Sequence, residues 1–483
     1  MLGNDQGNAG RHAASLSRRE LLRAGGLGLG AYGLALPELL RAREQPRPSK
    51  KAKISGFGKA KACIVLFMWG GPAQQETWDL KPEAPEQVRG EFRPIVTETP
   101  GLMISEHFPM LARQTRRLAV IRSMHHDDVN HTTATHEFLA GRPVSRAAAT
   151  LQDDFPHIGA VLAHLNKGHE RSALPPFVQF RPIVPNGAPR FVEESHGQTA
   201  GWLGPALNPL TIDEDPNTLA YRARAAALRL PDDIAPSRFE DRKRLLSEVN
   251  AQARALGKAA QLGALDAHYA RAYNLLTDRH ALEAFDLERE DPRTRDRYGR
   301  NAHGQTVLQA RRLVEAGVPL VTVFWPNDGI TNVSVYWDTH NRNFIDLKTR
   351  LMPPADQAFS ALLDDLDARG LLDSTLVLWT GEFGRTPRVG QAVVGGAGAG
   401  RDGRDHWPHC FSSVLAGAGI QGGTVYGASD RWAAYPARDA VTPADVAATT
   451  YHLLGVDPAR EVTDPLGRPL QLCHGTPIAG ILA

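Results

Sequence analysis

The stretch Cys63-Ile64-Val65-Leu66-Phe67-Met68-Trp69 is continuously apolar and is broken by Gly70-Gly71-Pro72. A short apolar run that ends at turn residues is typical of a strand buried on both faces of a parallel sheet. Runs of the same kind occur at 118–124, 318–325, 375–379 and 411–415. The sequence therefore predicts several buried strands spread along the chain.

Helical patterns separate these runs. Phe359, Leu362, Leu363 and Leu366 recur at helical spacing and predict an amphipathic helix, and residues 305–316 predict another. Strands that alternate with helices indicate an α/β fold: a mostly parallel sheet with helices on both faces. Residues of about 207–300 are rich in Ala, Leu, Arg and Glu and predict a helical insertion, whereas the glycine-rich stretch 395–403 predicts a mobile loop.

The N-terminus carries an export pattern. The pair Arg18-Arg19 precedes an uncharged stretch, 24–36, which is too short to span a bilayer and is typical of a twin-arginine signal. We expect a signal region at 1–42, a basic linker at 43–61 and the α/β domain at 62–483. The protein is then delivered by the twin-arginine translocase to the periplasm or surface of a bacterium, with no transmembrane segment beyond the signal.

Charge and cysteine content exclude two classes of protein. The formal net charge of the 483 residues is only +2, so no strong field attracts nucleic acid. The three cysteines are too scattered for a disulfide framework or a Cys-x-x-Cys metal site.

Polar side chains cluster beside the predicted strands. In open α/β sheets, ligands bind beyond the carboxyl ends of the strands. Imidazole together with carboxylate is the ligand set of zinc or manganese, so we expect one or two divalent ions there. The candidate segments are 76–79 after the first strand, 125–137 after the second, 337–340 after the third, 380–386 after the fourth and 404–409 before the fifth.

Two further residues are candidates for catalysis, each with an ordinary structural alternative. Thr132, at the predicted start of a helix, is either a nucleophile or anion-binding group, or an ordinary N-cap. Arg385 is either a bidentate clamp for an anion or part of a structural ion pair.

Five ordered motifs resemble one family. Gly70-Gly71-Pro72 with Glu76-Thr77-Trp78-Asp79, the segment 310–318, Trp337-Asp338-Thr339-His340, the segment 381–387 and the segment 403–408 together resemble domain-of-unknown-function family 1501. These are exported bacterial proteins, abundant in planctomycetes, placed in the alkaline-phosphatase-like superfamily with sulfatases. The resemblance runs from about residue 62 to the C-terminus and implies an alkaline-phosphatase-like fold.

The resemblance also implies a metal-dependent hydrolase of phosphate or sulfate esters. Asp338, His340, Glu382 and His406 are the implied metal ligands, and Glu76, Asp79 or His131 would complete a second site. Thr132 or water would attack the ester of a small molecule or glycan, with His131 and Arg385 as further catalytic residues. Three departures stand against this: Phe383 replaces an expected histidine, Asp338 and His340 are unusually close in sequence, and Gly70-Gly71 replaces an expected carboxylate. The chain also lacks the Cys-x-Pro-x-Arg motif of formylglycine sulfatases.

Two alternatives remain open at this stage. One is an exported binding or scaffold protein that keeps the fold without catalysis, which Phe383 favours. The other is a carbohydrate-processing hydrolase, for which the sequence offers only Trp202, Trp325 and Trp432.

Overall fold

The chain is described here from a computed structural model, in which an eight-stranded sheet forms the centre of the domain. The structure describes residues 54–145, 150–165, 174–213 except 183 and 185, 215–218, 237, 238, 241, 244, 245, 248, 278–332 and 334–483. The predicted signal region and residues 43–53 of the predicted linker lie outside this set.

The described strands are short. They are β1 (Ala62–Phe67), β2 (Pro94–Val96), β3 (Met103–Ser105), β4 (Leu118–Met124), β5 (Phe177–Phe180), β6 (Leu210–Ile212), β7 (Leu320–Phe324), β8 (Thr375–Thr380), β9 (Gly384–Arg385), β10 (His406–Trp407), β11 (Phe411–Ala416), β12 (Thr424–Tyr426), β13 (Ala428–Ser429), β14 (Pro436–Arg438), β15 (Glu461–Thr463) and β16 (Pro469–Gln471).

The described α-helices connect and cover the strands. They are α1 (Glu86–Arg89), α2 (His131–Ala140), α3 (Ile158–His164), α4 (Phe191–Glu194), α5 (Arg279–Phe285), α6 (Pro292–Tyr298), α7 (Ala302–Glu315), α8 (Asn343–Asp346), α9 (Met352–Ala368) and α10 (Pro443–Leu453). A π-helical turn, Leu347–Leu351, joins α8 to α9.

The central sheet has the strand order β12-β4-β11-β8-β1-β7-β5-β6. Seven of its strands take part in parallel pairs, while β11 runs antiparallel to both of its neighbours, β4 and β8. The mostly parallel α/β sheet predicted from the sequence is confirmed. All six residues of β1 are buried, as its uninterrupted apolar sequence predicts.

The reversed direction of β11 decides which residues meet. The carboxyl ends of β1, β4, β7 and β8 lie at one edge of the sheet, and the amino end of β11 lies at that same edge. The residues that follow the first four strands are therefore joined by those that precede β11. The short ribbon of β9 and β10, which pairs Arg385 with His406 and Gly384 with Trp407, also lies between β8 and β11 in the chain.

The predicted domain limits meet the structure at two places. Residues 54–61 of the predicted linker pack on α10, where Gly58 N donates to His452 O and Ala60 N donates to Leu453 O. The predicted insertion, 207–300, lies largely outside the described residues, but β6 is part of the central sheet and Tyr298 at the end of α6 donates to Asp365 in α9. The compact unit thus begins at Ile54, and both described ends of the predicted insertion belong to it.

In the part of the chain that is described, no helix has the length and apolar character needed to cross a membrane.

Candidate metal centre

A loop, a helix and a short strand bring four polar side chains together at the carboxyl edge of the sheet. Asp338 and His340 lie in the loop after β7, His131 is the first residue of α2, and His406 opens β10. Asn130 caps α2 by accepting from Thr132 N at 2.9 Å, which fixes the helix start and with it the position of His131. All four side chains are buried.

The two glycines after β1 allow the loops to approach this closely. Gly70 has a φ of +103°, and a Cβ there would lie 2.7 Å from the Trp337 carbonyl carbon and closer still to Asp338 N. A Cβ on Gly71 would lie 2.7 Å from a ring carbon of Phe383. A side chain at either position would clash with the neighbouring loops. Glycine therefore occupies these positions, where a carboxylate was expected.

The four side chains offer donor atoms to one point. One donor atom from each lies within 4.8 Å of all the others. Asp338 Oδ1 lies 2.9 Å from His340 Nε2 and 3.3 Å from His406 Nε2. Asp338 Oδ2 lies 3.3 Å from His131 Nε2. The Nε2 atoms of His340 and His406 are 3.0 Å apart. Zinc with nitrogen ligands at about 2.0–2.1 Å in a tetrahedron needs donor separations of about 3.3 Å. The spacing fits such an ion.

The outer nitrogen of each imidazole is held by an acceptor. His406 Nδ1 bonds Val129 O at 2.8 Å, His340 Nδ1 bonds Gly398 O, and His131 Nδ1 bonds Glu382 Oε1 at 2.5 Å. Carbonyl oxygens only accept, so Nδ1 carries the proton in His340 and His406, and their Nε2 lone pairs face each other. Two lone pairs 3.0 Å apart repel unless a cation lies between them, and this outer support is usual for metal-binding histidines.

Charge at the centre is balanced by Arg385. Burial opposes ionisation of Asp338, but the Arg385 guanidinium and then His131 and His340 hold its pKa well below the usual range. Burial also opposes the charged form of His131, yet Asp338 and Glu382 together raise its pKa to about 9. For His406, burial and then the His131 charge lower the pKa to about 4. The centre thus holds an ionised Asp338 and a neutral His406, the states in which these groups bind a metal, whereas His131 must release a proton when an ion binds.

The sequence model of a family described as "Protein of unknown function (DUF1501)" matches residues 60–482. The chain belongs to the DUF1501 family.

No curated protein matches this DUF1501 chain. Similar solved structures include the lipoteichoic acid synthase LtaP from Listeria monocytogenes, with 10% identity over 89% of this chain and 79% of that one and a TM-score of 0.42. A protein in the alkaline phosphatase superfamily from Vibrio parahaemolyticus has 12% identity over 88% and 71%, with a TM-score of 0.41. The C-terminal periplasmic domain of EcEptC from Escherichia coli, in complex with Zn, has 10% identity over 89% and 94%, with a TM-score of 0.35. Values this low transfer neither an activity nor a ligand to this DUF1501 chain.

The structure brings together three of the predicted ligands, Asp338, His340 and His406, and adds His131, which was predicted to be catalytic or part of a second site. Glu382 takes a different place from the one predicted. Its Oε1 accepts from His131 Nδ1 and from Gly70 N, so it supports a ligand and is outside the group of four.

Glu76 and Asp79 do not reach the centre, which corrects the predicted second site. Glu76 is fully buried and accepts from Arg404 Nη2 at 2.6 Å. Asp79 accepts from Lys81 Nζ at 2.9 Å and lies 3.7 Å from Arg122. The chain turns away from the centre after Gly71, so both carboxylates pair with cations elsewhere.

The sequence left two alternatives open for Arg385 and for Thr132, and the structure shows what each side chain bonds. The Arg385 guanidinium is fully buried and bonds Asp338 and the carbonyls of Gly71 and Arg404, so its structural alternative is the one observed, and it is not free to clamp an anion. Thr132 is half-buried and its hydroxyl donates to Asn130 Oδ1 at 2.8 Å.

Two supports of the centre gave no sequence signal for a site. The backbone carbonyl groups of Val129 and Gly398 accept from His406 and His340. Every residue has such a group, so the residue type does not indicate which one holds an imidazole. The glycine-rich stretch predicted as a mobile loop closes over His340: Gly400 N donates to His340 O at 2.8 Å, and a Cβ on Gly403 would overlap that same carbonyl group. This close approach to residues 340–341 explains Gly400 and Gly403.

Phe383, which replaces the expected histidine, forms a wall of the centre. Its ring centroid lies 4.8 Å from that of His131 and 4.7 Å from that of His406. Phe191 stacks on the other side of His131 at 4.2 Å. Apolar walls lower the local dielectric, which strengthens the attraction between the centre and a bound cation.

Proposed function

We propose that this DUF1501 protein is an exported, metal-dependent hydrolase of phosphate or sulfate esters. The observation that carries the proposal is the convergence of three imidazole Nε2 atoms on the Asp338 carboxylate, with each outer nitrogen already bonded. His131, Asp338, His340 and His406 would hold one divalent ion, zinc or manganese. Such an ion would polarise an ester oxygen, and it would lower the pKa of water enough to make water a nucleophile at neutral pH.

The chain's own residues would position and shield the reacting groups. Glu382 holds the proton of His131 at Nδ1 and thereby keeps Nε2 directed at the centre. Arg385 compensates the charge of Asp338 while it also bonds the Gly71 carbonyl oxygen. Phe191 and Phe383 exclude water from the sides of the His131 ring. Thr132, adjacent to His131 at the start of α2, remains the hydroxyl nucleophile that this chain offers.

Turnover of an ester panel tests the proposal. The full chain, loaded with zinc or manganese, is assayed on a phosphate monoester, a phosphate diester and a sulfate ester, beside His406→Ala and Thr132→Val. We expect metal-dependent turnover that His406→Ala abolishes, and that Thr132→Val abolishes only if its hydroxyl is the nucleophile. Absence of turnover on every ester with metal bound would contradict the hydrolase.

A second candidate is a metal-holding scaffold or binding protein. A centre of four ligands that are all buried has the ligand count and the burial of a closed structural site. Cobalt substitution separates the two candidates: phosphate added to a catalytic centre changes the visible spectrum of the ion, because an open position takes the anion. A spectrum that phosphate leaves unchanged favours the scaffold.

Export is tested independently of the centre. A reporter fused to residues 1–61 is expected in the periplasm, and the Arg18→Lys, Arg19→Lys version in the cytoplasm. Equal distribution of both versions would contradict twin-arginine export.

A further inference from the structure

A groove of about 530 Å³ lies apart from the buried residues of the metal centre. Its volume is in the range of about 300–1,000 Å³ that is typical of small-ligand sites. Trp407 and Ala434 form its floor, where Trp407 Nε1 donates to Ala434 O at 2.6 Å. Tyr435, which is 52% exposed, and Trp432 line it further, so three aromatic rings contribute to its surface beside the segment 387–391.

Two guanidinium groups lie beside this aromatic surface. The Arg388 and Arg431 guanidinium carbons lie 5.1 and 5.2 Å from the centroid of the Trp432 ring, within cation–π range. Neither arginine forms an ion pair with an acidic residue that the structure describes, and Asp430 nearby accepts instead from the backbone of Trp432 and Ala434. Each guanidinium group therefore keeps the capacity to bond an anion beside the Trp432 ring.

The groove and the metal centre share one structural support. In the β9–β10 ribbon, His406 pairs with Arg385 and Trp407 pairs with Gly384. Successive residues of a strand point to opposite faces, so His406 faces the metal centre while Trp407 faces the groove. The groove segment at 387–391 directly follows Arg385 and Thr386 in the chain.

We infer that this groove binds a saccharide that carries a sulfate or phosphate ester. Aromatic rings pack against the C–H faces of a sugar ring, and guanidinium groups bond the oxygens of a tetrahedral oxyanion in a bidentate manner. The net charge of +2 gives no extended field for a nucleic acid, so recognition rests on this local pair of cations. The choice of ester rests on the proposed function, but the binding itself needs neither metal nor turnover.

Binding of matched polysaccharides tests the inference. A sulfated galactan and its unsulfated parent, and a phosphorylated mannan and its unphosphorylated parent, are titrated into the full chain by calorimetry. We expect binding of at least one esterified polymer and much weaker binding of its parent. Arg388→Gln and Tyr435→Ala are each expected to weaken binding by about 10-fold or more, as befits loss of a charge-assisted bond or a main contact.

A control variant separates this site from general charge, and removal of metal separates it from the metal centre. Arg113→Gln removes an exposed arginine elsewhere and should bind the polymer like the unmodified chain, and so should the unmodified chain after treatment with a chelator. Tyr435 and Arg388 are exposed, so their variants should keep the melting temperature of the parent. The inference is overturned if no esterified saccharide binds, if polyglutamate binds equally well, or if Arg388→Gln and Tyr435→Ala leave the affinity unchanged.

Discussion

Substitution of Gly70 by alanine should separate the metal centre from the fold. Gly70 has a φ of +103°, and its added Cβ would lie 2.7 Å from the Trp337 carbonyl carbon. Gly317 is a matched control because its φ is +101° and an added Cβ meets nothing within 4 Å. Both variants therefore carry the same backbone strain, of order 1–3 kcal/mol. Only Gly70→Ala also displaces the loop that carries Asp338 and His340.

The displacement can be estimated from the contact distance. Carbon atoms in contact are about 3.5–4.0 Å apart, so the loop must move by about 1 Å to accept the new Cβ. Metal–ligand distances tolerate only about 0.2 Å, so two of the four ligands lose their position. We expect metal affinity to fall by at least about 10-fold in Gly70→Ala, as for other changes that misplace a ligand.

Competition with a chromophoric zinc chelator measures the affinity, and urea unfolding of the metal-free proteins measures the strain. Gly317→Ala should show the backbone strain alone and bind zinc like the unmodified chain, whereas Gly70→Ala should be less stable still, because its Cβ also clashes with the loop. If Gly70→Ala binds zinc as tightly as Gly317→Ala, the close approach of the loop does not set the ligand geometry, and the reasoning is refuted.

Three further predictions concern individual side chains. Glu76→Gln should keep the full metal content but lower the free energy of unfolding by roughly 1.5–3 kcal/mol, because Arg404 loses its charged partner; loss of metal in elemental analysis would instead restore Glu76 as a ligand. Glu382→Ala should weaken zinc binding about 10–100-fold without abolishing it, because it removes the hydrogen bond that orients His131 but leaves all four ligands in place. Complete loss of zinc binding in the chelator assay would show instead that Glu382 is a ligand. Burial lowers the pKa of His157 to about 3. As pH falls below about 6.5, this histidine takes up a proton in the unfolded chain but stays neutral in the folded one. The free energy of unfolding therefore falls, by roughly 2 kcal/mol at pH 5. His157 caps α3 by accepting from Gly159 N at 2.8 Å, and His157→Asn keeps a side-chain acceptor there. The unfolding free energy of this variant should vary less with pH by that amount, and an unchanged pH dependence in urea titrations would contradict this.

The strands could be predicted because burial on both faces leaves a plain apolar signal. Residues 118–124 coincide with β4, and the other four predicted strands match β1, β7, β8 and β11 within two residues at each end. The antiparallel direction of β11 could not be predicted, since an apolar run reads the same both ways. That direction explains why His406, which precedes its strand, reaches the same edge as residues that follow theirs.

The candidate site was predicted less completely than the fold. Asp338, His340 and His406 were identified through resemblance to a family, whereas Glu76 and Asp79 were misplaced because proximity to a strand end does not show where the chain turns next. Their actual partners, Arg404 and Arg122, are distant in sequence. Backbone carbonyl groups that hold imidazoles leave no trace in residue type, so that part of the centre needed the structure.

Metal content is the most direct test of the central claim. Protein purified without chelator is analysed for zinc and manganese beside His406→Ala, with both checked for native folding. The described residues contain one group of four converging ligands, so we predict about one equivalent per chain, lost in the variant. If folded protein binds neither ion after each has been supplied, or if His406→Ala retains a full equivalent, the cluster is not a metal centre.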